Sequence, residues 1–256
     1  MNAAQAEHIA EVGSWLRDAS KVVVLTGAGI STDSGIPDFR GPNGLWTKNP
    51  LAEKMSDIRY YLADPEVRKL AWQNRLHSPV WKVEPNAGHR ALVDLERGGK
   101  LHTLVTQNVD ELHQKAGSNA ERVVEVHGTI GYSRCWDCGE RLPMKVTLDR
   151  VVAGEEDPPC LQCGGILKSD TISFGQSLVP EVIDRALNSA SDCDVLLCIG
   201  TTLAVGPVNN MVPRAQYAGA RIAIVNGDPT EMDALADVVI FGGISEIVPM
   251  IVDASV

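Results

Sequence analysis

Four cysteines stand in two pairs, Cys135-Trp136-Asp137-Cys138 and Cys160-Leu161-Gln162-Cys163, with 21 residues between them. Each C-x-x-C knuckle turns two thiolates toward one point, and Gly139 and Gly164 follow to allow the tight backbone. Four sulfurs close a tetrahedral zinc site with no open position, which makes the metal structural. Two redox dithiols are the alternative, and they need a thioredoxin-like context that is missing from the sequence.

A second set of residues suits a nucleotide. The run from Gly27 to Gly41, GAGISTDSGIPDFRG, is entered directly from the β-branched stretch Val22-Val23-Val24-Leu25-Thr26. It reads as a strand feeding a phosphate-binding turn, with backbone N–H groups where the next helix begins. The usual dinucleotide fingerprint places a third glycine where Thr32 stands. Pro37, Asp38, Phe39 and Arg40 add a rigid turn, a carboxylate, an aromatic face and a fixed cation, more than a phosphate cradle requires. Downstream, Thr106-Gln107-Asn108-Val109-Asp110 offers amides and a carboxylate able to hold ribose hydroxyls and a carboxamide, although the same residues could cap a helix beginning near Glu111. His127, followed by Gly128, can act as a general base near neutral pH or be structural. Gly200-Thr201-Thr202-Leu203 and Asn226 suit phosphate and ribose contacts, though each would be a common turn if found alone. His8, His77, His89, His102 and His113 have no comparable setting and receive no role.

A sheet has to position these groups. Short apolar runs at Leu101–Thr106, 123–126, Val195–Ile199 and 221–225 read with 22–26 as strands of a buried parallel sheet, with Val238–Phe241 as its edge. Helical patterns occupy 5–18, 88–96, 180–189, 207–218 and 244–252. This alternation predicts a doubly wound, Rossmann-like α/β fold with ligand at the carboxyl ends of the strands, where the first loop, Thr106 to Asp110, His127, Gly200 to Leu203 and Asn226 fall. Residues 47–85 read as helices joined at Pro50, Pro65 and Pro79, and 132–171 as a Cys-, Gly- and Pro-punctuated stretch without helical period. The expected division is therefore a nucleotide-binding domain of 1–46, 86–131 and 172–256, with a helical module of 47–85 and a zinc module of 132–171 forming a smaller domain.

The net charge of -10 and the isoelectric point near 5.1 argue against a nucleic-acid surface and suit a basic partner such as a lysine-bearing peptide. No apolar run approaches the length needed to cross a bilayer, and the first residues lack a secretory pattern, so a cytoplasmic location is expected. In a reducing compartment the six cysteines are not three disulfides; Cys193 and Cys198 read as small buried hydrophobes.

Taken in order, GAGISTDSGIPDFRG, TQNVD, His127-Gly128, the paired knuckles, Phe174-Gly175, GTTL and the strand end at Asn226 resemble the sirtuins, the NAD-dependent protein lysine deacylases. The resemblance spans residues 20 to 250. It implies that Gly27, Ala28, Gly29, Gly200, Thr201, Thr202 and Asn226 hold the phosphates and adenosine half of NAD. Ile36, Asp38, Phe39, Arg40, Gln107, Asn108 and Asp110 would serve the ribose and nicotinamide half. His127 and Asn108 would be catalytic, and Cys135, Cys138, Cys160 and Cys163 would bind one structural zinc. An acyl-lysine peptide would lie as an extended strand between 172–176, with Ile172, Phe174 and Gly175, and the segment near Val205. The implied reaction has the acyl oxygen attack the anomeric carbon of the nicotinamide ribose. Nicotinamide departs, and His127 deprotonates a ribose hydroxyl that captures the acyl group. The products are free lysine, nicotinamide and O-acyl-ADP-ribose.

Three positions depart from the family pattern: Gln176 where FGE is usual, Thr202 where GTS is usual and Ser169 where proline often stands. Trp72 replaces a tyrosine that, in relatives preferring acidic acyl groups, stands three residues before an arginine; Arg75 is present. Arg75 is therefore expected either to reach the acyl pocket or to be a solvated helix residue. Three other activities fit parts of the pattern. Mono-ADP-ribosyl transfer belongs to the same family, whereas an NAD-dependent dehydrogenase would release no nicotinamide and a zinc-ribbon binding module would need basic and aromatic residues interleaved.

Overall fold

All five residues of Val22–Thr26 (β1) are buried, as a strand covered on both faces must be. The structure, a computed structural model, describes residues 2–38 and 55–256. β1 lies inside a six-stranded sheet with Leu101–Thr106 (β2), Val123–Glu125 (β3), Val195–Ile199 (β7), Arg221–Asn226 (β8) and Val238–Phe241 (β9). The order β3-β2-β1-β7-β8-β9, parallel throughout, is that of a doubly wound nucleotide-binding sheet. Its topological switch point falls between β1 and β7.

Side-chain alternation along β1 divides the core into two layers. Val22 and Val24 face Ala3–Asp18 (α1), Ala87–Arg97 (α4) and Ile244–Asp253 (α9), whereas Val23 and Leu25 face Pro180–Ser191 (α7) and Met211–Tyr217 (α8). Helix starts follow their capping residues: Asn2 accepts the N–H of Gln5, and Asn86 with His89 forms a capping box on α4. The expected helix over 207–218 divides into a 3-10 turn at Val208–Asn210 and α8. Val238–Phe241 is an edge strand as expected, and β3 is the other edge.

A separate antiparallel sheet joins Gly128–Cys135 (β4), Arg141–Pro143 (β5) and Leu167–Thr171 (β6) in the order β5-β4-β6. Ile58–Ala63 (α2) and Pro65–Leu76 (α3) pack beside it, each begun by an aspartate that accepts a first-turn N–H. The reading of 132–171 as free of helical period is corrected by Met144–Val152 (α6). Met144, Thr147 and Val151 form its buried stripe, while the apolar Val146 and Val152 are exposed, so the apolar positions do not follow a helical period. With Trp72, Cys135, Cys160 and Leu167, two of those three build the core of this smaller unit.

Candidate active site and metal site

The first nucleotide loop leaves β1 as a 3-10 helix, Ala28–Ser34, rather than an α-helix, and Gly35 ends it in the left-handed region at φ 95°. Its glycines are fixed by chain crossing. Gly29 donates to Gly200 O at 2.9 Å, and a Cβ on Gly27 would lie 2.7 Å from Gly200 O. A Cβ on Gly200 would lie 2.4 Å from the Ile30 nitrogen. Two loops thus interlock at the switch point, a demand that exists before any phosphate arrives. Phe39 and Arg40 lie outside the described residues, whereas Ile36 and Asp38 are partly buried at the end of the loop.

Beyond β2, the segment from Gln107 to Asp110 is tied to its neighbours on two sides. Asn108 donates through Nδ2 to Gly27 O and Ser31 Oγ, both at 3.1 Å, and Ser31 donates to Asp110 Oδ2 at 2.7 Å. Asp110 also accepts the N–H of Leu112, the first residue of Leu112–Ala116 (α5), while the N-cap residue Glu111 makes no side-chain capping bond. Burial raises the Asp110 carboxyl above its ordinary range. Gln107 Nε2 donates to Thr201 Oγ1 at 2.8 Å, linking the ends of β2 and β7.

His127 stands two residues past β3 with its Nδ1 2.9 Å from the Gln107 carbonyl. A carbonyl only accepts, so Nδ1 carries the hydrogen and the Nε2 lone pair is the basic one. Burial depresses the imidazole below its usual value, against the smaller opposing effect of the Gln107 bond. The ring is therefore neutral at pH 7, the form a general base needs. Its backbone is fixed as well, since Ile172 donates to His127 O at 2.7 Å. Thr202 is exposed beside Thr201, and Asn226 donates to Asp228 O at 2.7 Å at the end of β8.

On the proposed peptide side, Phe174 forms a parallel bridge with Asp57. Its N–H donates to Ser56 O at 2.8 Å, and its carbonyl accepts from Ile58 at 3.0 Å. Both backbone groups of Phe174 are thus engaged by the helical module, while Gly175 follows at φ 79°. The Val205 carbonyl accepts from Asn209 at 3.3 Å. Gln176 closes a turn with Ser173 through both its N–H and its side-chain oxygen. Arg75 is not a solvated helix residue: it donates to Ser169 Oγ at 2.8 Å and stacks 5.0 Å from the Trp72 ring centroid. Trp72 itself is fully buried in the small core.

The thiols of Cys135, Cys138, Cys160 and Cys163 lie within 4.8 Å of one another, with Cys135–Cys163 at 3.5 Å and Cys138–Cys160 at 3.7 Å. Zinc–sulfur bonds of about 2.3 Å in a tetrahedron set sulfurs about 3.8 Å apart, so the four residues fit one zinc ion. Cys193 and Cys198 are buried, and burial pushes the Cys193 thiol up to about 11.

Two buried residues received no role from the sequence. His113 sits 2.9 Å from Thr26 Oγ1, and the His89 ring lies 4.9 Å from the His113 ring. The available signal was the apolar Leu112 beside His113 in a five-residue helix, too short for periodicity to declare which residues face inward.

Comparison with known proteins gives a consistent answer. The Sir2 family model matches residues 27–207. The chain is 49% identical over 228 residues to NAD-dependent protein deacetylase 2 of Streptomyces coelicolor, covering 89% of this chain and 95% of that protein. A structure solved for the mechanism and regulation of Sir2 enzymes superposes with a TM-score of 0.88 at 36% identity, covering 97% of this chain and 98% of the other. A Sir2 structure with deacetylated p53 peptide and 3′-O-acetyl ADP-ribose superposes at 0.86 with 29% identity, covering 95% and 96%.

Proposed function

The chain belongs to the Sir2 family, and on that premise we propose that it is an NAD-dependent protein lysine deacylase that moves an acyl group from lysine to ADP-ribose and releases nicotinamide. The observation that carries the reading is His127, neutral, beyond the carboxyl end of β3, with its Nδ1 hydrogen held by Gln107 O, which leaves the Nε2 lone pair as the basic one. NAD is consumed as co-substrate, and acylated proteins or peptides are the partners. The reduced cysteines suit the cytoplasm, and no helix among the described residues is long and apolar enough to cross a membrane.

Gly27, Ala28, Gly29, Gly200, Thr201, Thr202 and Asn226 would meet the phosphates and adenosine, because they crowd the carboxyl ends of β1, β7 and β8. Ile36, Asp38, Phe39, Arg40, Gln107, Asn108 and Asp110 would surround the nicotinamide ribose. There the leaving group departs from an anomeric carbon with developing positive charge, which a dry, acceptor-lined pocket stabilises. His127 would then take the proton of a ribose hydroxyl as that hydroxyl attacks the acyl carbon. The division into a nucleotide-binding domain and a small domain belongs to the same proposal and is supported by the two separate sheets. One zinc held by the four cysteines would brace the small domain without touching the reaction.

A peptide strand laid beside 172–176 would find the backbone of Gly175 rather than that of Phe174, whose N–H and carbonyl face Ser56 and Ile58. Its other side would meet the segment at Val205. Incubating the protein with NAD and an acetyl-lysine peptide should yield free nicotinamide and O-acetyl-ADP-ribose by mass spectrometry. His127→Ala should lower turnover about 100- to 10,000-fold with fold and zinc intact. Acetate released with no esterified ADP-ribose, or reduced NAD in place of nicotinamide, would remove this reading.

A further inference from the structure

His113 is buried to 1% exposure beneath the first nucleotide loop. Thr26 Oγ1, 2.9 Å from its Nε2, donates to Thr106 Oγ1 at 2.8 Å. With the single Thr26 hydroxyl proton committed there, the His113 Nε2 must carry a hydrogen and donate it. Thr106 Oγ1 in turn accepts the backbone N–H of Asn108 at 3.1 Å. From Asn108 the path continues through Ser31 and Asp110 to the N–H of Leu112, next to His113 in the chain. The hydrogen bonds therefore form a closed circuit through β1, the 3-10 turn, the end of β2 and α5.

The polarity of this circuit is consistent all the way round. An ionised Asp110 only accepts, so Ser31 donates to it, and the Asn108 group facing Ser31 and Gly27 O must be the NH2. The Asn108 side-chain oxygen is consequently the end turned away from the loop.

We propose that His113 is a positioning residue for the deacylation reaction: through Thr26 and Thr106 it fixes the backbone of Asn108 and the direction in which the Asn108 oxygen faces the nicotinamide ribose. This rests on the deacylase reading. Burial holds the His113 imidazole well below its ordinary range, so the ring stays neutral and keeps a single hydrogen for Thr26. Leucine at 113 would retain apolar volume and lose the donor, whereas the side-chain amide of glutamine can place a donor near the position of Nε2.

The test begins on the ligand-free protein. Nitrogen NMR should find His113 neutral with its hydrogen on Nε2 between pH 6 and 8. In His113→Leu the amides of Asn108 and Leu112 should exchange with deuterium about tenfold faster, and in His113→Gln at close to the parent rate. With NAD and acetyl-peptide, His113→Leu should lose about tenfold in kcat with peptide KM held within about twofold, while His113→Gln keeps more than about half of the parent kcat. Should His113→Leu fail to fold, Thr106→Val, which removes the acceptor for the Asn108 N–H at nearly constant volume, should give the same exchange and kcat changes. Parent exchange and parent kcat in the folded variant overturn the proposal, as does an equal loss in His113→Gln, which would point to ring volume. A parent protein that leaves NAD intact defeats the deacylase reading instead, so the two failures are distinct.

Discussion

At the carboxyl ends of β1, β2 and β7, the functional side chains are fastened by hydrogen bonds onto a sheet already buried on both faces. Around β4, β5 and β6 the buried core consists of Trp72, Cys135, Met144, Val151, Cys160 and Leu167, and two of these six are thiols placed for a metal. The nucleotide region thus has its scaffold without its ligand. The cysteine region, with so small an apolar cluster to offset chain entropy, is expected to rely on the ion for its order. The two regions meet where Ile172 donates to His127 O, so disorder in the weaker one reaches the base in the stronger.

The largest expected effect follows from that asymmetry. Structural zinc contributes on the order of 10 kcal/mol to small folding units. Stripping the metal with a chelator should abolish amide protection across 128–171 while the six-stranded sheet keeps its own. Deacylation should vanish with it, although no cysteine lies among the proposed reacting groups. Hydrogen exchange read by mass spectrometry, beside a metal assay, checks this. Protection of 128–171 that survives complete metal loss would show the two regions to be equally self-sufficient.

Acid should break the nucleotide region in a different manner. Burial holds His89 down at about 4 and His113 well below its ordinary range, so each contributes stability that is present above about pH 6.5 and lost as pH falls toward the folded value. For His89 alone the loss is roughly 3 kcal/mol. Glu125 works the other way: burial, with Glu111 and Asp110 nearby, raises it to about 7, so its favourable neutral form is present below about pH 4.5 and lost as pH rises through 7. His89 and His113 on one side and Glu125 on the other oppose each other across one pH window, with His127 also lowered and Asp110 also raised by burial. Glu125→Gln should raise stability at pH 8 by about 1 to 3 kcal/mol and leave acid unfolding steeper between pH 6.5 and 4. Urea titrations at a series of pH values measure both. A variant with the parent's pH slope would mean that Glu125 does not titrate in this range.

The same asymmetry governs what could be read from the chain. Strands β1 and β7 begin and end where their apolar runs do, because a parallel sheet covered on both faces requires buried residues throughout; β2, with His102 exposed, and the edge strand β9 also keep their expected bounds. The thiols were legible from spacing, since a tetrahedral ion restricts ligand geometry locally. Helix α6 was hidden because its buried stripe comprises Met144, Thr147 and Val151 only, and one of these is polar. His113 was hidden for another reason. Its partners, Thr26 and Thr106, are brought to it only when β1 pairs with β2, and no local pattern encodes that meeting. The glycines of the first loop were legible as a turn leaving β1, whereas their crossing with Gly200 is a tertiary fact that no local pattern encodes.

The smallest effect concerns the join between the helical and cysteine modules. Arg75 and Lys168 lie near each other. Burial, and secondarily the Arg75 charge, lowers the Lys168 amine to about 8, and its Nζ is held by the carbonyls of Ser169 and Thr171. Arg75→Ala removes the bond to Ser169 Oγ but also removes a positive charge from beside Lys168. The two consequences oppose each other, so the net destabilisation should be about 1 kcal/mol and the Lys168 amine should titrate higher. If Arg75 serves this join, the relative turnover of acetyl-, succinyl- and long-chain acyl-lysine peptides should stay as in the parent. A selective loss of succinyl turnover would instead place the guanidinium against the acyl chain, and would mean that the helical module, through Arg75, helps choose the substrate.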